Sequence, residues 1–233
     1  MMIGKMVDDI DVRMPEDVHD VGKHIPTLNA YLIVVVRDSR GNIVKVHRQR
    51  SHSPTANFIG LFLPIAYFSS NNTSYTITNA TGGTCIYLPN VASNAQCISY
   101  PNVATNVQTY LVTIQVGSGQ QSNPYTAIAL AAPIANGSGA GQLIYESAVL
   151  PQSISINGST AYFYITQSFN NISGGTVTIT EVGLLLQVQL TNYNATATTN
   201  CGQVLVWYDV LSSPISVPNA GSVTIYYTFT VNP

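Results

Sequence analysis

The charged side chains of this chain are gathered at one end, and that distribution limits what the rest can fold into. All eight Lys and Arg residues lie within the first 50 positions, and the last of four His residues is His52. From residue 53 to residue 233 the charged side chains are three acids, Glu146, Glu181 and Asp209. Such a body gains almost nothing from ion pairs. Its neutral polar groups and tyrosines are typical of sheets and buried interfaces.

Stretches in which apolar and polar side chains alternate run through this body and predict strands with one buried face. The predicted strands are Val107–Val116, Ala161–Phe169, Gln203–Val210 and Val223–Val231. Thr176–Leu190 is long enough for two strands, with Gly183 as a bulge. Asn136-Gly137 and Asn157-Gly158 are turn dipeptides. The sequence therefore predicts a mainly β fold with a β-sandwich or jelly-roll-like body.

A hairpin and a short helix are predicted before this body. Ala30–Val36 and Ile43–Val46 flank a turn cluster at 38–42, which predicts a β-hairpin with a basic edge. Ser53 as N-cap and Pro54 in the first turn predict one helix, from Thr55 to Leu63 and ended by Pro64.

The change in charge near residue 52 divides the chain into two predicted parts. Residues 1–52 hold an acidic arm (1–28) and the basic hairpin, and we expect this part to dock on neighbouring proteins. Residues 53–233 form the charge-poor sandwich. The acidic N-terminus does not resemble a signal peptide, and no apolar stretch reaches the ~20 residues of a membrane span.

Cysteines and glycosylation sequons are the candidate modification sites. Cys85 and Cys97 either form a disulfide or remain reduced, and Cys201 is then a core residue or an inter-subunit link. Their spacing does not match a metal site. Sugar could be attached at Asn-x-Ser/Thr sequons in outward-facing loops. The seven sequons begin at Asn71, Asn72, Asn79, Asn136, Asn157, Asn171 and Asn194.

The acids of the body are poor candidates for catalysis. A carboxylate pair such as Glu146 and Glu181 can hydrolyse glycosides, but Glu181 lies within an alternating strand pattern. The body has no His to act as a base. No nucleophile, metal-binding or phosphate-binding motif is present. The sequence therefore predicts a protein that is not an enzyme and has no catalytic residues, cofactor or metal.

The basic residues of the hairpin are the candidate docking residues. The cluster at 47–52 could contact nucleic-acid phosphates. Residues 1–52 carry eight basic and seven acidic side chains, however, so the net positive field is weak. We therefore favour docking on a charged neighbouring protein over nucleic-acid binding. The predicted docking residues are Arg37, Arg40, Lys45, Arg48 and Arg50.

Three segments occur in an order that resembles virion structural proteins. They are RQRSHSPTANF at 48–58, GAGQLIY at 139–145 and ITQSFNNISGGTVTITEVGL at 165–184. This order resembles structural proteins of tailed phages. The low charge and the wealth of Asn, Thr and Tyr are similar to proteins of spindle-shaped (fusellovirus-like) viruses of archaea from hot acid. The resemblance spans about residues 30–190 and carries over no catalytic residues.

The resemblance implies a tail or capsid-to-tail adaptor protein. It would form a ring-like homo-oligomer with other virion proteins, assembled in the host cell and extracellular in the mature virion. The alternative is a capsid protein or a spike module that binds host-surface receptors or glycans. In the latter, Tyr162, Tyr164, Tyr226 and Tyr227 would stack on sugar. A body without Lys and Arg fits an acid habitat, because unpaired cations repel one another once carboxylates are protonated.

Overall fold

The computed structural model describes residues 27–51, 53–66, 75–87, 96–99, 112–150, 154–192 and 198–232. In these ranges the chain has one α-helix, α1, Ala56–Ala66. Its strands are β1 (Thr27–Arg37), β2 (Ile43–Ser51), β3 (Tyr75–Thr78), β4 (Thr84–Tyr87), β5 (Gln96–Ser99), β6 (Val112–Gly117), β7 (Ile144–Tyr145), β8 (Ser155–Asn157), β9 (Thr160–Asn170), β10 (Val177–Asn192), β11 (Thr198–Val217) and β12 (Ser222–Asn232). The predicted arm, His52 and residues 107–111 lie outside the described ranges.

The described strands form two main sheets, and the mainly β prediction is confirmed. Sheet A has six strands in the order β2-β1-β12-β9-β7, with β8 also paired to β9. Sheet B has four, in the order β11-β10-β5, with β6 also paired to β10. β3 and β4 form a separate ribbon. The two sheets pack face to face into a sandwich-like body, and the jelly-roll alternative remains a prediction.

The main core lies between the inner faces of the two sheets. Sheet A contributes the alternate residues of β1 and β12, and sheet B those of β10 and β11. Each fully buried aliphatic or aromatic side chain stabilises the fold by about 1.5–3 kcal/mol. Side chains of this core that are wholly shielded from solvent include Leu32, Val34, Val36, Ile114, Phe169, Ile179, Val204, Ile215, Ile225 and Tyr227.

The predicted hairpin is an integral part of sheet A. β1 pairs antiparallel with β2 and with β12, and the pairing with β12 runs from Thr27 opposite Asn232 to Arg37 opposite Ser222. Gly41 lies in the turn with φ 84°, a conformation that favours glycine. The predicted boundary near residue 52 therefore marks a change in charge and does not separate the hairpin from the body.

The helix begins later than predicted. Ser53 is not its N-cap. Instead, Phe58 N–H donates to the Thr55 carbonyl at 3.1 Å, and the helix starts at Ala56. The segment before it runs beside β11, where Tyr208 N–H donates to the Ser53 carbonyl at 3.0 Å. Pairing with a sheet edge thus takes precedence over the local capping signal.

The helix also ends later than predicted. It continues past Pro64 to Ala66. Proline removes one backbone donor, and its fixed φ is compatible with a helix. Because Pro64 is near the C-terminal end, α1 loses a single hydrogen bond and continues.

β10 is one strand where two were predicted. Gly183 is not at a bulge, since it pairs in register with Tyr208 and the register shifts of the β10–β11 pair lie elsewhere. The glycine is required by close packing. A Cβ at this position would lie 2.5 Å from Leu130 Cδ1 and 2.7 Å from Leu205 Cδ1.

The disulfide differs from the predicted pair. Cys85 of β4 is bonded to Cys201 of β11, with a Cα–Cα distance of 5.7 Å, so the Cys85–Cys97 prediction is wrong. Cys97 lies in β5, which pairs with β10 rather than with β4. Spacing along the chain favoured the nearer cysteine, whereas sheet topology brings the farther one into contact.

Glutamine side chains close both lateral edges of the sandwich. The Gln49 amide of β2 donates to the Val210 carbonyl at 3.0 Å and accepts from Ser212 N–H at 2.9 Å. On the other side, Gln167 Oε1 of β9 accepts from Ile114 N–H of β6 at 2.7 Å. In each case a side chain from sheet A satisfies strand-edge groups of sheet B.

Candidate functional site

The predicted docking residues point in two directions. Successive side chains of a strand point to opposite faces. Lys45 faces sheet B, where its Nζ donates to the Pro214 carbonyl at 3.0 Å. Arg48 and Arg50 lie opposite Ile33 and Tyr31 of β1, on the outer face of sheet A.

Arg40 and Arg37 lie at the hairpin turn. The Asp38 carboxylate organises this turn by accepting from Arg40 N–H and from Asn42 N–H, each at 2.9 Å. The side-chain hydrogen bond from Asn42 is the main cause that lowers the pKa of Asp38. The Arg40 side chain is exposed, and Arg37 Nη1 donates to the Gly41 carbonyl at 3.4 Å. The structure thus leaves Arg40 at the tip, while Arg37 is partly occupied by the turn.

Exposed apolar side chains accompany these cations. β2 is the edge strand of sheet A, and its Ile43, Val44 and Val46 side chains are 44%, 55% and 37% exposed. Val46 lies on the outer face opposite Val35. An edge strand that combines apolar and cationic side chains is a surface suited to contact with another protein.

The outer face of sheet A is apolar and tyrosine-rich. Cross-strand neighbours form one row of Arg50, Tyr31, Thr228 and Tyr164, and a second row of Arg48, Ile33, Tyr226 and Thr166. The rings of Tyr164 and Tyr226 meet edge to face, with centroids 6.1 Å apart. Burial raises the pKa of Tyr226.

Among the described residues, three hydroxyl groups on this face are buried and have no hydrogen-bond partner. They belong to Tyr31, Thr228 and Thr230. Tyr31 and Thr228 are directly opposite one another, and Thr230 is opposite Asn29. The three groups therefore form one cluster near the beginning of β1.

Tyr227 is placed differently from the other predicted sugar-stacking residues. It is fully buried in the core, and its hydroxyl donates to Asp209 Oδ2 at 2.9 Å. Burial, reinforced by the Asp209 carboxylate, raises the pKa of Tyr227. Tyr227 therefore cannot stack on a sugar, so the predicted sugar-stacking cluster loses one of its four tyrosines.

The Glu181 carboxylate is buried beneath the 118–134 loop, which covers the outer face of sheet B. It accepts from three backbone N–H groups of this loop, of Gly119 at 3.2 Å, Ala131 at 3.0 Å and Ala132 at 2.8 Å. Tyr208 donates its hydroxyl to Glu181 Oε2 at 2.7 Å. Four donors occupy the two oxygens, so this acid fastens the loop to the sheet.

Asp209 is also buried, on the opposite face of sheet B. Its Oδ2 accepts from Ser51 Oγ at 2.5 Å as well as from Tyr227. Trp207 Nε1–H in turn donates to Ser51 Oγ. These bonds connect the end of β2 to the core of the sandwich.

Glu146 is the exposed acid of the described body. Its Oε1 accepts from Asn170 Nδ2 at 2.7 Å. It therefore lies on the sheet A side, whereas Glu181 is enclosed by the loop over sheet B. The structure does not bring the two predicted carboxylates into one solvent-accessible cleft.

The sequons differ in access. Asn136, which is bridged to Leu143, and Asn157, at the end of β8, are both exposed. Asn79 Nδ2 donates to the Cys201 carbonyl at 2.9 Å. Asn171 is fully buried, with Nδ2 donating to the Gly175 and Val217 carbonyls at 2.8 Å each, so a sugar there would break the fold. Asn71, Asn72 and Asn194 lie outside the described residues.

Within the described ranges, no cluster of His, Cys, Asp and Glu side chains is arranged to hold a metal ion. α1, with 11 residues, is too short to cross a membrane as a helix. No protein-family model, curated protein or solved structure matches the chain.

Sequence patterns did not predict the hydrogen bonds that hold the 118–134 loop on Glu181, nor the two glutamines that close the edges of the sandwich. The groups that bind Glu181 are backbone N–H groups about 50–60 positions away, which have no side-chain signature. One signal was present: an acid in the middle of a charge-free apolar strand must be hydrogen-bonded if that strand is buried.

Proposed function

We propose that this protein is a structural component of a virus particle, a tail or capsid-to-tail adaptor that assembles into a ring-like homo-oligomer. The observation that carries the proposal is the composition of the β1–β2 hairpin. This hairpin presents exposed Ile43, Val44 and Val46 beside Arg40, on a body that is otherwise nearly free of charge. Such a surface fits contact with a neighbouring subunit better than contact with a small substrate.

The buried acids support a non-enzymatic role. Glu181 and Asp209 are engaged by donors from the protein's own loop, core and hairpin. The resemblance of segments 48–58, 139–145 and 165–184 to virion proteins supplies the viral context. The same resemblance is the basis for proposing a tail or adaptor role and an acid habitat.

Native mass spectrometry and negative-stain electron microscopy, at acid and neutral pH, test the assembly. We expect closed rings or regular oligomers of the wild type. Ile43→Thr with Val44→Thr keeps β-branched residues in the edge strand but removes apolar surface, and should shift the protein to monomers. The matched control is Ile154→Thr with Ile156→Thr, at side chains that are 65% and 76% exposed near β8.

Three outcomes would overturn this assignment. A wild-type monomer at both pH values that binds an array of glycans would instead favour a host-surface receptor-binding module. An equal loss of oligomers in the hairpin variant and the β8 control would show that the hairpin is not the contact. Oligomers with the symmetry of a closed shell would favour a capsid protein.

A further inference from the structure

Two Asn-Gly-Ser segments of this chain are chemically identical but lie in different structural surroundings. They begin at Asn136 and Asn157. An asparagine that precedes glycine is prone to deamidation, because glycine has no side chain to hinder the attack of its backbone nitrogen on the asparagine amide. Since the local sequence is the same, a difference between the two deamidation rates measures the effect of the fold.

Asn157 is the last residue of β8 and precedes a two-residue hairpin loop. It pairs with Thr160 of β9, so Gly158 and Ser159 form the loop. Gly158 has φ 59°, as two-residue hairpin loops need at their first position. Asn157 and Gly158 are both exposed, and no group among the described residues hydrogen-bonds to the Asn157 side chain or to Gly158 N–H. The amide and the nitrogen that attacks it are therefore accessible to water and are not held apart.

Asn136 is also exposed, but hydrogen bonds hold both of its reacting groups. Its Oδ1 accepts from Tyr145 N–H at 3.1 Å. The Gly137 N–H donates to the Leu143 carbonyl at 3.0 Å. Both bonds have to break before the Gly137 nitrogen can reach the amide carbon. Displacing reacting atoms by about 1 Å can slow a reaction by about 100-fold, so this geometry protects Asn136.

We propose that Asn157 is a site of spontaneous deamidation in the folded protein and that Asn136 is protected from the same reaction. A base in the solvent removes the proton from the Gly158 nitrogen. That nitrogen forms a bond to Asn157 Cγ, and the side-chain nitrogen leaves as ammonia. Water then opens the resulting succinimide ring at one of its two carbonyls, giving aspartate or isoaspartate. The net reaction consumes one water molecule and releases one ammonia.

The modification changes both the charge and the backbone of the β8 hairpin. It adds an acid to residues 53–233, which contain three acids and no Lys or Arg. Isoaspartate also carries the main chain through the side chain, which is incompatible with the pairing of Asn157 and Thr160. A sugar on Asn157 would block the reaction by substituting the amide nitrogen, so glycosylation and deamidation exclude each other at this sequon. The inference does not depend on the proposed function.

Peptide mapping of the wild-type protein, produced in bacteria without sugars, tests the site. The protein is incubated at mildly alkaline pH, once native and once unfolded in guanidinium, and is then cleaved after glutamate. Cleavage after Glu146 places Asn136 and Asn157 in different peptides. The mass increase and electron-transfer fragmentation identify aspartate and isoaspartate at each site. Dividing the native rate by the unfolded rate at each site cancels any effect of the preceding residue.

We expect the native rate at Asn157 to lie within about threefold of its unfolded rate, and the native rate at Asn136 to be at least about tenfold below its own. Asn157→Gln is the matched control. Glutamine has to form a larger ring, so position 157 should stay unmodified while the rate at Asn136 is unchanged. Equal ratios of native to unfolded rate at the two sites, or a lower ratio at Asn157, would overturn the inference.

Discussion

The two sheets of the sandwich both have an apolar outer face, but the buried polar groups on the two faces differ in their hydrogen bonding. Over sheet B, the 118–134 loop packs Leu130 against Leu185, Leu205 and Tyr208, and Glu181 accepts the loop's N–H groups. Over sheet A, three hydroxyl groups are buried and have no hydrogen-bond partner among the described residues.

The difference follows from the loop that covers sheet B. An irregular loop has N–H groups that no strand satisfies, so it can lie on a sheet only if an acceptor is buried with it. Glu181 is that acceptor, and its position explains why a nearly charge-free body retains an acid there. The sheet A face has no such acid among its described residues, and its hydroxyls remain unsatisfied.

The largest expected effect comes from removing the acceptor beneath the loop. Glu181→Ala leaves three N–H groups and the Tyr208 hydroxyl without a partner, and we expect a loss of about 3–5 kcal/mol in the free energy of unfolding. Urea titration followed by tryptophan fluorescence measures it. Glu146→Gln, at the exposed acid, should cost less than about 0.5 kcal/mol. Equal effects of the two variants would contradict the role of Glu181 in holding the 118–134 loop.

The disulfide gives the next largest effect, also on the sheet B side. The Cys85–Cys201 bond joins positions 116 residues apart, so its loss should cost about 2–4 kcal/mol through the entropy of the unfolded chain. Cys85→Ser with Cys201→Ser tests this by urea titration. With one disulfide among three cysteines, the unfolded, unreduced protein should show one free thiol. Three free thiols would refute the bond.

Alkaline pH should weaken the fold next, through buried tyrosines of both sheets. Burial raises the pKa of Tyr145 to about 12 and also raises that of Tyr208 beside Glu181. A raised folded-state pKa means that the stabilisation is complete below the unfolded value of about 10 and is lost as pH rises through about 12. We expect a fall of about 2 kcal/mol across this window, measured by urea titration at stepped pH. Tyr145→Phe should reduce the fall, and an unchanged profile would argue against this origin.

The sequence predicted the parts of this fold that depend on local pattern. The hairpin at 38–42 and the alternation of β9 and β12 are local, and strands were found at these positions. Three features depend instead on contacts made through the sheets. They are the disulfide partner of Cys85, the start of α1 and the hydrogen bonds between Glu181 and the loop. No local signal specifies such contacts, and the capping signal at Ser53 was overridden by pairing with β11.

The smallest expected effect reverses the usual sign. Thr228→Val removes a buried hydroxyl that has no partner while preserving shape, so it should raise the free energy of unfolding by about 0.5–1 kcal/mol. The matched control is Thr55→Val. Thr55 is equally buried, but its Oγ1 donates to the Leu205 carbonyl at 2.7 Å, so the same substitution should cost about 1–2 kcal/mol.

Opposite signs for these two isosteric substitutions would show that hydrogen bonding, rather than burial, separates the sites. If Thr228→Val instead costs as much as Thr55→Val, the hydroxyl has a partner in solution, and the outer face of sheet A is satisfied in the way that sheet B is. The contrast between the two faces would then be removed.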